Sequence, residues 1–120
     1  MQVLAVDDSR TMRDMVRIAL TGAGIDAHLA EDGVHGLEVL EEIETPDAII
    51  TDINMPRLDG FGFIDAVRSM EDYRAIPILV LTTESAAELK TRAREAGATG
   101  WIVKPFDPAK LVKALRMVAG

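Results

Sequence analysis

Five polar residues able to bind a metal ion or a phosphate directly follow short apolar stretches of this chain. They are three carboxylates, a hydroxyl and an amine: Asp7, Asp8, Asp52, Thr82 and Lys104. Three carboxylates held together repel one another unless a cation joins them or some are protonated. Magnesium suits such a group because it prefers oxygen ligands and retains positions for water and phosphate. A divalent ion beside a carboxylate, a hydroxyl and a lysine indicates phosphoryl chemistry, with Asp52 as the nucleophile that forms an aspartyl phosphate.

Each of these residues has a simpler interpretation when it is taken alone. Asp52 could start a turn, and Asp7 or Asp8 could cap a helix. Thr82 could end a strand, and Lys104 could be solvated. These interpretations would have to hold at four strand ends at once, and so phosphoryl chemistry is favoured. Zinc is disfavoured because the chain has no cysteine and its two histidines are expected to be exposed residues away from the strand ends.

The apolar stretches before these residues predict the strands of a parallel sheet, at residues 3–6, 48–50, 78–81 and 101–103. A further stretch, residues 25–29, alternates apolar and polar residues as an edge strand does. Apolar residues at helical spacing separate the strands, and right-handed crossovers place helices on both sheet faces. The predicted fold is therefore α/β and flavodoxin-like: a doubly wound, five-stranded parallel sheet with five helices. Its expected strand order, 2-1-3-4-5, is taken from flavodoxin-like proteins and brings the polar residues to one edge, where open α/β sheets bind ligands.

Three local predictions concern the helices. The first helix is expected to turn Met15 inward, together with its other apolar residues. The run Ser85-Ala86-Ala87-Glu88 has the spacing of a capping box and is expected to start the fourth helix. Asp107 as N-cap and Pro108 at the first helical position are expected to start the fifth.

The composition limits the classes of function. A chain of 120 residues is long enough for one domain with one core, and its net charge of −7 disfavours nucleic acid as a direct ligand. No apolar run approaches the ~20 residues needed to cross a bilayer. The first residues enter a strand without the basic region of a signal peptide, so a cytoplasmic location is expected.

Several short motifs together resemble the receiver domain of two-component response regulators, in particular the single-domain chemotaxis regulators. They are Val6-Asp7-Asp8-Ser9, Thr51-Asp52-Ile53-Asn54-Met55-Pro56 with Asp59-Gly60, Leu81-Thr82, and Lys104-Pro105-Phe106. The resemblance runs the whole length of the chain. It predicts a single receiver domain over residues 1–120, with no output domain.

The resemblance implies that Asp52 accepts a phosphoryl group from a phosphohistidine on a CheA-like histidine kinase, or from acetyl phosphate. It implies that Asp8, Asp52 and the backbone carbonyl of Asn54 ligate Mg²⁺, with Asp7 assisting through water. It further implies a cis peptide bond between Lys104 and Pro105. The protein would be a monomeric switch that catalyses only its own phosphorylation and dephosphorylation, with a separate phosphatase as a possible further partner.

The resemblance also implies a change of surface on phosphorylation. Thr82 would be drawn to the phosphoryl group, and the aromatic residue at position 101 would move inward. The surface of helix 4, strand 5 and helix 5 would then bind a FliM-like flagellar motor switch protein. Trp101 stands where chemotaxis regulators usually carry Tyr, so the polar contact of a phenol is expected to be lost. Thr83 is larger than the Ala or Gly often found at its position and would narrow access to Asp52.

The sequence also bears on three other functions. A phosphate sink would use the same chemistry without binding a motor, and the sequence does not separate it from a motor regulator. A phosphatase of the haloacid-dehalogenase type needs a second Asp two residues after the nucleophile, where this chain has Asn54. A flavodoxin is disfavoured because the carboxylates would repel the phosphate of the flavin.

Overall fold

The computed structural model describes residues 1–119 as a five-stranded parallel sheet with helices on both faces. The strands are β1 (Gln2–Val6), β2 (Asp26–Ala30), β3 (Ala48–Thr51), β4 (Ile78–Thr82) and β5 (Gly100–Val103). Their order in the sheet is β2-β1-β3-β4-β5, with every neighbouring pair parallel. The predicted fold class and strand order are confirmed.

Within residues 1–119, four α-helices and one short 3-10 helix connect the strands, and a fifth α-helix follows β5. They are α1 (Arg10–Gly22), α2 (Gly33–Glu42), α3 (Gly60–Ser69), the 3-10 helix (Glu71–Tyr73), α4 (Ala87–Ala96) and α5 (Pro108–Ala119). Helices α1 and α5 pack together on one face of the sheet, and α2, α3 and α4 cover the other. No helix within residues 1–119 combines the length and the apolar character needed to cross a membrane.

The central strands are buried on both faces, which explains why their sequences are continuously apolar rather than alternating. Along β1, Leu4 and Val6 point into the core beneath α2 and α3, while Val3 and Ala5 point into the core beneath α1 and α5. Strand β2 is partly exposed at the sheet edge, as its alternating sequence predicts.

The two predictions about helix starts had different outcomes. Helix α5 begins at Pro108, and the Asp107 carboxylate accepts a hydrogen bond from the Ala109 amide at 3.0 Å, as predicted. The capping box at Ser85 was wrong, since α4 begins at Ala87 with Ala86 as its N-cap. Ser85 therefore lies one residue too early to cap the first turn.

The prediction that Met15 faces inward was also wrong. Met15 is 44% exposed, because α1 faces the sheet through Val16 and Leu20, which are 2% and 0% exposed. Consecutive residues on an α-helix are separated by a rotation of roughly 100°, and so the residue before Val16 points away from the sheet.

Candidate functional site

Strand ends bring the predicted residues to one edge of the sheet. The Asp52 amide donates to the Val6 carbonyl at 3.0 Å, and the Lys104 amide donates to the Thr82 carbonyl at 2.8 Å. The backbone bonds of the sheet thus continue one residue beyond the strands and carry Asp52 and Lys104 with them. Lys104 is followed by a cis peptide bond to Pro105, as expected.

The amine of Lys104 joins two carboxylates. Its Nζ atom lies 2.7 Å from Asp7 Oδ2 and 3.0 Å from Asp52 Oδ2. The side chains of Lys104, Asp7 and Asp52 are 8%, 7% and 11% exposed. Since buried charges are costly unless they are paired, this arrangement keeps both carboxylates at the site with a shared counter-charge.

Burial and hydrogen bonding together shift the pKa of Lys104 and of its partner Asp7. Burial works against the charge on Lys104, but its hydrogen bonds to Asp7 and Asp52 outweigh that effect and raise its pKa above the ordinary value. Burial raises the pKa of Asp7, and hydrogen bonds from Lys104 and the Ser9 amide offset only part of that rise. The lysine therefore stays charged at neutral pH, whereas ionisation of Asp7 lowers the stability of the fold.

Asp8 adds a third carboxylate at the solvent side of this pair. Asp7, Asp8 and Asp52 can each place an oxygen within 4.8 Å of the others, and Asp8 is the exposed member. Against three negative charges Lys104 supplies one positive charge, which leaves a formal charge of −2 when all are ionised. Oxygen donors with that excess charge fit a hard divalent cation such as Mg²⁺.

Thr82 and Asn54 both contact Glu84, at the start of the β4–α4 connection. Thr82 is fully buried, and its Oγ1 accepts a hydrogen bond from the Glu84 amide at 3.3 Å. The exposed Asn54 side chain donates to Glu84 Oε1 at 3.4 Å. The structure therefore links the ends of β3 and β4 through one glutamate.

Trp101 reaches the same glutamate from β5. Its indole Nε1 donates to the Glu84 carbonyl at 3.0 Å, and the half-buried ring packs against the core beneath α2 and α3. The chain has no phenol at this position, and the indole N–H of Trp101 makes a polar contact of its own. This bond connects positions 17 residues apart, and no local sequence pattern indicates it.

Two residues that the sequence analysis did not single out support the aspartates after β1. The Ser9 amide donates to Asp7 Oδ1 at 2.9 Å, and the Ser9 hydroxyl caps α1 by accepting a hydrogen bond from the Met12 amide at 3.2 Å. Arg13 donates from Nη1 to the Asp7 carbonyl at 2.7 Å. Ser9 could have been found as a serine immediately before a helical pattern, whereas the Arg13 contact has no comparable sequence pattern.

The helix that follows Asp52 begins unusually close to it. The Gly60 amide donates to the Ile53 carbonyl at 2.8 Å. A Cβ atom on Gly60 would lie 2.2 Å from the Asp52 carbonyl oxygen and 2.8 Å from Ile53 Cα. Glycine is therefore required at this position by the close approach of two backbone segments.

Both histidines lie away from the five polar residues, but the expectation that they are exposed was wrong. His28 and His35 are half-buried. His35 Nδ1 accepts a hydrogen bond from the Glu31 amide at 3.1 Å, a local contact at the start of α2. Within residues 1–119, His28 Nε2 is a buried atom without a hydrogen-bond partner.

Comparison with known proteins gives consistent results. The model of the family described as response regulator receiver domain matches residues 3–116. A chemotaxis protein CheY homolog of Campylobacter jejuni is 40% identical, over all of this chain and 93% of that protein. The structure of chemotaxis protein CheY4 from Vibrio cholerae has a TM-score of 0.92 at 46% identity, covering 98% of this chain and 97% of that one.

A more distant structure contains a metal ion. The receiver domain of a sensor histidine kinase from Pseudomonas aeruginosa is 28% identical with a TM-score of 0.91, covering 99% of this chain and 97% of that one. That structure has a magnesium ion coordinated in the active site cleft.

Proposed function

This chain belongs to the response regulator receiver domain family, and on that premise we propose that it is a chemotaxis response regulator phosphorylated on Asp52. The observation that carries the proposal is the buried contact of Asp52 with Lys104, within a group of carboxylates that fits a divalent cation. The phosphoryl donor would be a phosphohistidine on a CheA-like kinase. The protein would act in the cytoplasm, with residues 1–120 forming one receiver unit.

The transfer requires little beyond positioning and charge neutralisation. An Asp52 oxygen forms the new P–O bond, the P–N bond of the phosphohistidine breaks, and the imidazole keeps the electron pair. Lys104, held charged beside Asp52, would bind an oxygen of the phosphoryl group.

Mg²⁺ would be held by Asp8, Asp52 and the Asn54 backbone carbonyl, with Asp7 acting through water. The bound ion would neutralise charge on the phosphoryl oxygens. The formal charge of −2 on the lysine and the three aspartates supports this assignment.

The contacts of Glu84 suggest how phosphorylation would change the surface. Thr82 would exchange its hydrogen bond from the Glu84 amide for one to the phosphoryl group. Because the Glu84 carbonyl also accepts the indole N–H of Trp101, the exchange would shift the β4–α4 connection and β5 together. The face formed by α4, β5 and α5 would then bind a FliM-like motor switch protein.

The test of the phosphorylation site is the intact mass after incubation with acetyl phosphate or phosphoramidate, with and without Mg²⁺. The wild-type protein should gain one phosphate that depends on Mg²⁺, and Asp52→Asn should gain none while keeping its fold. A stable phosphoprotein in Asp52→Asn would overturn the assignment of the nucleophile.

The test of the switch uses Thr82→Ala, which should accept phosphate but bind the motor switch protein at least tenfold more weakly than the phosphorylated wild-type protein. Unchanged binding by phosphorylated Thr82→Ala would contradict the switch. Failure of the phosphorylated wild-type protein to bind any motor component would favour the phosphate sink.

A further inference from the structure

An arginine outside the carboxylate group holds the loop that follows Asp52. Arg57 donates from Nε to Asp32 Oδ2 at 2.8 Å and from Nη2 to Asp32 Oδ1 at 3.0 Å. Such a bidentate ion pair between a guanidinium and a carboxylate fixes the relative orientation of the two groups as well as the distance between them. It joins the β3–α3 loop to the beginning of α2, 25 residues away in sequence.

Asp32, which accepts the hydrogen bonds from Arg57, is itself held firmly in place. Asp32 is 4% exposed, and its Oδ1 also accepts the His35 amide at 2.8 Å as the N-cap of α2. Its hydrogen bonds from Arg57 hold the pKa of Asp32 below the ordinary value, so this carboxylate is ionised at neutral pH. Arg57 is therefore anchored to a helix end and not to another mobile side chain.

The backbone conformation of Arg57 also indicates that this residue holds the β3–α3 loop. Its φ is 64°, in the left-handed region that residues with a Cβ atom rarely occupy. An unfavourable backbone conformation persists where the surroundings impose it, and such residues are found disproportionately at functional sites. Here the ion pair with Asp32 is the interaction that requires arginine, since glycine or asparagine would meet the backbone requirement more easily.

Neighbouring backbone bonds hold the loop on either side of Arg57. The Gly33 amide donates to the Leu58 carbonyl at 3.1 Å, and a Cβ on Gly33 would lie 2.5 Å from that oxygen. The Gly60 amide closes the loop on the Ile53 carbonyl. Asn54, whose carbonyl is the proposed backbone ligand of Mg²⁺, lies between these attachment points.

We infer that Arg57 is a positioning residue for metal binding: its ion pair with Asp32 fixes the β3–α3 loop so that the Asn54 carbonyl is presented beside Asp52. The inference rests on the proposed function, because it assigns Arg57 a part in the same site. The hydrogen bonds of the Arg57 side chain go to Asp32 and not to Asp7, Asp8 or Asp52.

The direction in which Mg²⁺ affinity changes when Arg57 is replaced distinguishes a positioning role from an electrostatic one. Removing a positive charge from the neighbourhood of a cation site should strengthen cation binding. If Arg57 acts by positioning, Arg57→Gly should instead weaken Mg²⁺ binding, by about tenfold, the lower end of the loss seen when residues that orient metal ligands are removed. Glycine also removes the backbone cost at φ 64°, so the variant should fold.

The experiment measures Mg²⁺ affinity by calorimetry and, without metal, the hydrogen exchange of the Gly33 and Gly60 amides. Arg57→Gly should bind Mg²⁺ about tenfold more weakly, and its Gly33 amide should exchange faster. Arg57→Lys, which keeps the charge without the bidentate geometry, should fall between. The double variant with Asp32→Asn and Arg57→Gly should bind Mg²⁺ only slightly more weakly than either single variant, because both changes remove the same ion pair.

The matched control is Arg74→Gly, which removes an exposed arginine next to the 3-10 helix and changes the net charge equally. It should leave Mg²⁺ affinity unchanged or slightly raised. Affinity and Gly33 exchange in Arg57→Gly within twofold of the wild-type values would overturn the inference while leaving the proposed function intact. A wild-type protein that binds no Mg²⁺ would overturn both.

Discussion

The two connections on either side of the proposed phosphorylation site are built differently. The β3–α3 connection leaves Asp52 and is held by the Asp32–Arg57 ion pair and by Asp59, which caps α3 by accepting the Gly62 amide at 2.8 Å. The β4–α4 connection leaves Thr82 and ends at Ala86, where no side chain among residues 1–119 caps the first turn of α4.

The helices that follow differ in the same direction. Helix α3 buries five residues, Gly60, Phe61, Phe63, Ile64 and Val67, whereas the buried residue of α4 is Ala93. Helix α4 is held away from its start: Arg92 lies 4.0 Å over the Phe61 ring, and the Arg68 guanidinium donates to the Gly97 carbonyl at 3.0 and 2.9 Å. The β3–α3 connection is thus suited to hold charge in place. The first turn of α4, after the β4–α4 connection, is suited to move.

The largest change in the free energy of unfolding is expected from a substitution in the β3–α3 connection. Gly60→Ala should lower the free energy of unfolding by ~3 kcal/mol, because a Cβ would collide with backbone atoms of Asp52 and Ile53 that cannot move aside. The measurement is urea unfolding. Gly22→Ala is the control: within the described chain a Cβ there meets nothing within 4 Å, so this change should gain up to ~1 kcal/mol. Equal effects of the two changes would contradict the difference in packing.

A smaller effect should follow from exchanging the caps. Asp59→Ala should cost about 1 kcal/mol, and Ala86→Asp should gain about as much, since Ala86 already has the extended backbone of an N-cap residue. Ala86→Asp should also slow hydrogen exchange at the start of α4. Unchanged exchange over residues 87–90 in that variant would show that the missing cap does not explain the weaker hold on α4.

The smallest effect concerns two buried carboxylates and depends on pH. The Asp32 pKa lies below 3.8, so its stabilising contribution is present above that pH and is lost as the pH falls through the lowered pKa. Asp7 behaves oppositely, because its pKa lies above 3.8 and stability is lost as the pH rises through it.

Urea unfolding without metal should therefore show opposite trends for the two variants. Asp32→Asn should be less stable than the wild-type protein at pH 7, with the difference shrinking as the pH falls below 3.8. Asp7→Asn should be more stable at pH 7, with the gain shrinking as the pH falls towards 3.8. A gain for Asp7→Asn that does not change with pH would contradict the burial cost assigned to Asp7.

The fold and the juxtaposition of the five polar residues could be predicted because both follow from strand order. Lys104 and Asp7 are 97 residues apart, yet each directly follows a strand of one parallel sheet. The Arg57–Asp32 pair could not be predicted in this way. It depends on a left-handed backbone at Arg57, and arginine is not a residue type from which that conformation is expected. The start of α4 was missed because a serine and a glutamate at the right spacing need not form the bonds of a capping box.

The bond between the indole of Trp101 and the Glu84 carbonyl also has an optical consequence. Trp101 is the sole tryptophan of the chain, so tryptophan fluorescence comes from one place, beside the β4–α4 connection. Emission from an indole responds to its hydrogen bonding and to its exposure to water. The protein therefore contains its own reporter, with which movement of the β4–α4 connection can be followed in solution without an attached label.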